Sequence, residues 1–241
     1  THTGGFTGYT FRDLSEDIPA IFAQWKALGL QYDIIISGYL GSIDQIDMVK
    51  SAKRDFLKKG GLMIVDPVMG DNGALYSHFD QKFVEEMKGL CCTADVIVPN
   101  LTEACYLTGT AYASVTEKDY PAILEKLKKL CPRPSITGCD IFGTNGVESC
   151  VFYTDEQGKD KHYATEKIEG AFHGAGDVYA SALVGCLARG VDTDTAVKIS
   201  AEFTTNSIRQ TKSDGTEARY GLNSESQMLS YLKALDAAAN R

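Results

Sequence analysis

Apolar positions along this chain recur in two alternating rhythms. Ile18, Ile21, Phe22, Trp25 and Leu28 stand at helical spacing, and Gly29 follows as a stop. Asp33-Ile34-Ile35-Ile36-Ser37 is a short β-branched run of the kind buried on both faces of a sheet. The same exchange repeats downstream. Ile43 to Lys59 predicts a helix, Leu62 to Val65 a strand, Phe79 to Leu90 a helix, and Val96 to Val98 a strand stopped by Pro99. Asn100 opens a helix through Leu107, and Glu117 to Leu130 is amphipathic, ended by Pro132 and Pro134. Ser135 to Gly138 reads as a fourth strand.

The rhythm then changes. Gly146–Thr154 and Lys161–Ile168 predict a hairpin around Asp155-Glu156-Gln157-Gly158. Helices follow from the glycine loop at 174–176 to Arg189, over Thr193–Gln210 and over Ser224–Ala237. Strands alternating with helices predict an α/β fold in three α/β/α layers, with a mostly parallel central sheet covered on both faces. No repeat, low-complexity segment or linker divides the chain, so residues 1–241 read as a single domain.

Composition narrows the partners. With 24 Lys and Arg against 32 Asp and Glu, the net charge of −8 argues against nucleic acid or an anionic membrane surface. Seven cysteines are scattered without a Cys-x-x-Cys pair, which excludes a disulfide framework or zinc ribbon and suits reduced thiols in the cytoplasm. No apolar run reaches the length of a membrane span. The chain opens on Thr1, inside a glycine-rich segment, which raises the expectation that residues precede it.

Candidate chemistry collects where strands end, the usual ligand edge of such sheets. Gly174-Ala175-Gly176-Asp177 is a glycine loop feeding a helix, whose first N–H groups lack intrahelical partners and suit an anion. Asp177 is either an ordinary first-turn acid or a base for a hydroxyl attacking phosphate. Asp66 and Asp71 flank the loop after the second strand and either hold a hydrated Mg2+ or fill turns. Asn100 and Glu103 have capping-box spacing, which leaves Asn100 able to face a phosphate and Glu103 a metal-bound water. Thr137 and Gly138 offer a hydroxyl and an open backbone. His2, Thr3 and Tyr39 are candidates for a small polar substrate. A dinucleotide fingerprint, a P-loop, a Gly-x-Ser-x-Gly elbow and a His-Glu-x-x-His helix are all absent.

Taken in order, Thr1-His2-Thr3-Gly4, Ser37-Gly38-Tyr39-Leu40-Gly41-Ser42, Val65-Asp66-Pro67-Val68-Met69-Gly70-Asp71, Pro99-Asn100-Leu101-Thr102-Glu103-Ala104, Ile136-Thr137-Gly138 and Phe172-His173-Gly174-Ala175-Gly176-Asp177 resemble the ribokinase-like kinases, and among them the pyridoxal kinases. The resemblance implies ATP-dependent phosphorylation of the 5′-hydroxymethyl group of a B6 vitamer by a homodimer. Asp177 would be the base, and the N–H groups of Gly174, Ala175 and Gly176 an anion hole. Asp66, Asp71 and Glu103 would surround Mg2+. Asp66, Asn100, Glu103, Thr137 and Gly138 would lie by the ATP phosphates, and Ile168 by the adenine. His2, Thr3 and Tyr39 would contact the vitamer together with Asp177.

The pattern departs from the family in three places. Relatives begin with a strand–helix unit of ~30 residues that this sequence lacks. Val98 stands where many carry the Thr of a monovalent-cation (K+ or Na+) contact, and Gly138 replaces a hydroxyl residue found in some. Within the superfamily the nearest alternative is a hydroxymethylpyrimidine kinase, whose members tend to carry Cys at the place of Asp177. A non-catalytic B6- or nucleotide-binding protein is the alternative of another class.

Overall fold

The computed structural model describes residues 6–143 and 146–240. Helix α1 (Ile18–Ala27) precedes strand β1 (Tyr32–Ser37), helix α2 (Ile43–Phe56) and strand β2 (Leu57–Val65). A two-residue hairpin, β3 (Gly70–Asp71) and β4 (Ala74–Leu75), fills the loop before α3 (Gln81–Cys91), β5 (Val96–Ile97) and α4 (Leu101–Thr108). Then come α5 (Tyr120–Leu127), β6 (Arg133–Gly143), β7 (Gly146–Thr154), β8 (Asp160–Glu166), α6 (Ala175–Ala188), α7 (Thr193–Ser213) and α8 (Met228–Ala239).

Six strands form the central sheet in the order β1-β2-β5-β6-β7-β8. The first four are parallel, and β7 and β8 close the sheet as an antiparallel hairpin. Side chains alternate across it, as the two-residue period of a strand requires. Met63, Val65, Ile97 and Ile136 enter a core beneath α2–α5, whereas Ile64, Val96 and Val98 enter a second core beneath α6, α7 and α8. The three layers expected from the pattern are therefore present. Helix α1 has no buried residue of its own and leans on α2 through Phe22 and Trp25, which meet the Phe56 ring edge-on at 5.4 and 5.6 Å.

Several boundaries differ from the sequence reading, three of them for reasons that lie in strand pairing or in the link to α6. Helix α2 stops at Phe56, not Lys59, because Leu57 turns extended (ψ 127°) and pairs with Tyr32. The register then skips to Ile34 opposite Leu62, so Lys58–Gly61 bulge out of the pairing. Strand β6 runs on past Gly138 to Gly143 because β7 supplies a partner that local periodicity does not reveal. Its register shifts between Ile136 and Cys139, which leaves Thr137 and Gly138 as a bulge. Gly138 has φ +69°, a conformation other residues adopt only under strain. Strand β8 ends at Glu166, leaving Ile168 in the link to α6.

Candidate active site

The last ladder bonds of the parallel strands bring three loops to one level. The Asp66 N–H donates to Ser37 O at 2.8 Å, Val98 N–H to Val65 O at 3.0 Å and Thr137 N–H to Pro99 O at 2.9 Å. Asp66, Asn100 and Thr137 thus emerge side by side. With Asp71, Glu103, Gly138, Gly174, Ala175, Gly176 and Asp177 they line one cleft of about 380 Å3, a size typical of small-molecule sites. Ten of the residues singled out in the sequence are brought together here.

Gly174 caps α6 in the left-handed region, φ +79° and ψ 3°. A Cβ at this position would meet nothing closer than the Asp177 carboxylate at 4.0 Å, so backbone conformation rather than lack of space calls for glycine. The Val178 N–H closes on Gly174 O at 2.9 Å, while Ala175 N–H reaches only the Phe172 carbonyl at 3.4 Å. The leading N–H groups of α6 therefore have no acceptor from their own helix, and they open on the cleft beside Asp177 in the first turn.

Opposite them is a cluster of acids. Glu103 is 2% exposed and its carboxylate accepts N–H bonds from Asn100 at 2.8 Å and Met69 at 3.1 Å. Burial, then the charge of Asp66, pushes the Glu103 carboxyl well above its ordinary range, against the pull of those N–H donors. Asp66 is 7% exposed and is pushed up to about 7 by burial and then by the charge of Asp177. The side chain of Asp71 accepts from the Asn72 backbone and amide at 2.8 and 2.9 Å and stays exposed at the rim.

Four carboxylates thus line the cleft, and none of the described residues lining it is Lys or Arg. Such a set of hard oxygen donors fits Mg2+ chemically. Among the described residues no three acidic, His or Cys side chains are close enough to ligate one ion directly.

Some expectations shift. The Asn100 amide does not point freely at a ligand: its oxygen accepts the Glu103 N–H at 2.9 Å and its nitrogen donates to Gly70 O at 2.9 Å, so it braces the Asp71 loop and retains one N–H. Tyr39 does not line the cleft but packs on Phe79, with ring centroids 5.7 Å apart, and burial pushes its phenol up. Ile168 does not line the cleft either; Ala171 and Phe172, just beyond it, do. His2 and Thr3 lie outside the described residues.

The structure adds residues that the sequence reading missed. Tyr76, after the β3–β4 hairpin, reaches the cleft, and its phenol is pushed up to about 12 by burial and then by the charges of Glu103, Asp71, Asp177 and Asp66. Ser149 and Thr165 of the terminal hairpin and Thr204, Thr205 and Ile208 of α7 form the far wall. The glycine loop signals a cleft in the sequence, but nothing local to α7 does.

A family model described as phosphomethylpyrimidine kinase matches residues 12–221. The chain belongs to this family. A Schizosaccharomyces pombe member, provisionally named a pyridoxal kinase, is 31% identical over 65% of this chain and 46% of its own length. A Bacteroides thetaiotaomicron structure with pyridoxal, provisionally a phosphomethylpyrimidine kinase, superposes with TM-score 0.83 at 33% identity, covering 96% of this chain and 80% of that one. The pyridoxal kinase of Lactobacillus plantarum superposes with TM-score 0.85 at 29% identity, covering 97% and 82%. The chain spans about half the length of the yeast and nematode relatives that it matches. The resemblance to pyridoxal kinases and the ribokinase-like architecture both hold.

Proposed function

We propose that this cleft transfers the γ-phosphoryl group of ATP to the 5′-hydroxymethyl group of pyridoxal, pyridoxine or pyridoxamine. One observation carries the reading. Asp177 stands in the first turn of α6, beside N–H groups with no helical acceptor and close enough to Asp66 to raise it. A carboxylate at an anion cradle works against ground-state binding of phosphate, so its value lies in taking a proton.

Asp177 would accept the hydroxyl proton as the alcohol oxygen bonds to the γ-phosphorus and the bond to the departing ADP oxygen breaks. The proton stays on the Asp177 carboxyl until product leaves. The N–H groups at Gly174, Ala175 and Gly176 would face the transferring group, where charge develops in the transition state. Asp66, Asp71 and Glu103 would hold Mg2+ through its water shell, and the ion would supply charge neutralisation for the phosphates. Asn100 acts on the phosphates chiefly by fixing the Gly70–Asp71 turn. Thr137 and the bulged Gly138 would border the nucleotide.

The family description also favours a pyrimidine alcohol, so the test is turnover with a panel. ADP release should depend on a B6 vitamer and exceed that with hydroxymethylpyrimidine at least tenfold in kcat/KM. Equal or greater turnover of the pyrimidine would replace the assigned substrate while leaving the kinase reading in place.

A further inference from the structure

The hairpin that carries Asp71 pairs over two residues only, Gly70 with Leu75 and Asp71 with Ala74. A hairpin this short does not hold itself in water. Its turn is Asn72-Gly73, with φ +51° and +80°, the left-handed pair of a two-residue hairpin turn. Asn72 fixes the Asp71 carboxylate: its backbone N–H bonds one oxygen at 2.8 Å and its side-chain amide the other at 2.9 Å. Where the turn sits, the carboxylate goes with it.

Helix α4 seats this turn from behind. The Gly73 N–H donates to the Thr102 hydroxyl oxygen at 2.9 Å, and the Tyr106 hydroxyl donates to Gly73 O at 3.4 Å. Thr102 and Tyr106 stand one turn apart on α4, so one face of the helix holds both backbone groups of Gly73. The Tyr112 ring closes the same side. A Cβ on Gly73 would meet that ring at 2.6 Å, so glycine at this place lets it approach. Thr102 is buried and Tyr106 half-buried, and neither they nor Tyr112 line the cleft, whereas Asp71 does.

We propose that Thr102 and Tyr106 are positioning residues for Asp71. They hold its carboxylate ready for Mg2+ and so govern the affinity of the cleft for the ion, while touching neither ion nor substrate. The inference rests on the kinase reading above and deepens its metal site. A ligand group that is gathered into place on binding loses conformational freedom at that moment, and one held in advance does not. The Thr102 bond is short and the stronger hold; the Tyr106 bond is long and the weaker one. Loss of the Thr102 oxygen frees the Gly73 N–H to seek another acceptor, and the turn shifts with Asp71 upon it.

Mn2+ takes the same oxygen ligands as Mg2+, and the paramagnetic resonance of the free ion counts what the full chain has bound, without turnover. Thr102→Val keeps the shape of the side chain and should raise the Mn2+ dissociation constant about tenfold, the low end for a group behind a metal ligand. Tyr106→Phe deletes one hydroxyl and should raise it about twofold; it carries the test if the valine variant does not fold. Thr102→Ser should restore the parent value. In an Asp71→Asn background neither Thr102→Val nor Tyr106→Phe should weaken the ion further, because the group they position is gone. In turnover, Thr102→Val should raise the half-saturating Mg2+ by the same factor and regain most of its kcat at saturating ion. Variants at Thr102 and Tyr106 that bind Mn2+ as tightly as the parent would overturn the proposal. So would a loss that is equal with and without the Asp71 carboxylate. Mn2+ affinity unchanged by Asp71→Asn alone would instead remove Asp71 from the ion site of the kinase reading, and this inference with it.

Discussion

Asn100 and Glu103 grip one another in both directions: the Asn100 side-chain oxygen accepts the Glu103 N–H at 2.9 Å, and a Glu103 carboxylate oxygen accepts the Asn100 N–H at 2.8 Å. This capping box starts α4, and the same two side chains form a wall of the cleft. Structure and function are not alternatives at this position. Asn100 also donates to Gly70 O at 2.9 Å, and Glu103 accepts from Met69, so the box fixes the loop that carries Asp71.

Asn100→Ala should therefore cost more than a simple cap. Loss of the cap contributes about 1 kcal/mol, and loss of the Gly70 bond about 1 kcal/mol more. For a domain of this size the sum corresponds to a fall of roughly 4–8 °C in melting temperature. Thermal unfolding of the variant reads this directly. Asn100→Asp keeps the cap but turns a donor facing Gly70 O into an acceptor, and should recover only part of the loss.

Asp66 predicts a pH dependence of stability. Its folded pKa is raised to about 7 from 3.8, so the folded state holds the proton more tightly than the unfolded chain does. Its contribution is greatest below about pH 4 and is lost as pH rises towards 7, with a ceiling on the order of 4 kcal/mol. Asp66→Asn should flatten that slope and raise the melting temperature more at pH 8 than at pH 5. An equal shift at both values would show that Asp66 is not strained by its charge.

Mg2+ should relieve the same strain. Millimolar Mg2+ should raise the melting temperature of the parent chain at pH 8 by about 2 °C or more, as expected for a ligand that binds only the folded state. The rise should shrink at pH 5, where Asp66 is protonated, and in Asp66→Asn. An ion effect that persists unchanged in the variant would place the cation elsewhere.

Gly174→Ala separates conformation from space. The Cβ would meet no atom closer than 4.0 Å, yet φ is +79°. The variant should lose about 1–2 kcal/mol through the left-handed backbone alone. Its kcat should fall further than its stability suggests, because any relaxation of φ turns the first N–H groups away from the cleft. Urea unfolding and turnover measured on one preparation check both parts.

Much of this was legible before the structure. β-branched runs such as Ile34–Ile36 and Val96–Val98 mark buried strands, and the groups directly after them form the cleft because parallel strands end on one side. Asp66 and Asn100 needed only that rule, whereas Asp177 is marked by the glycine loop before it. Other features depend on contacts distant in sequence. Strand β6 continues beyond Gly138 because β7 pairs with it, and α2 ends at Phe56 because Leu57 finds Tyr32. The wall at Thr165 and Thr205 could not be read at all. A threonine that bonds its own helix, such as Thr204, and one that bonds a neighbouring strand, such as Thr205, look alike in a sequence.

If Asp177 takes the proton from the attacking alcohol, pyridoxal-dependent ADP release is the activity that Asp177→Asn must lose. The kcat of this variant should be lower by about 10²–10⁴-fold, with the ADP dissociation constant within about threefold of the parent chain. A kcat within about threefold of the parent would contradict it.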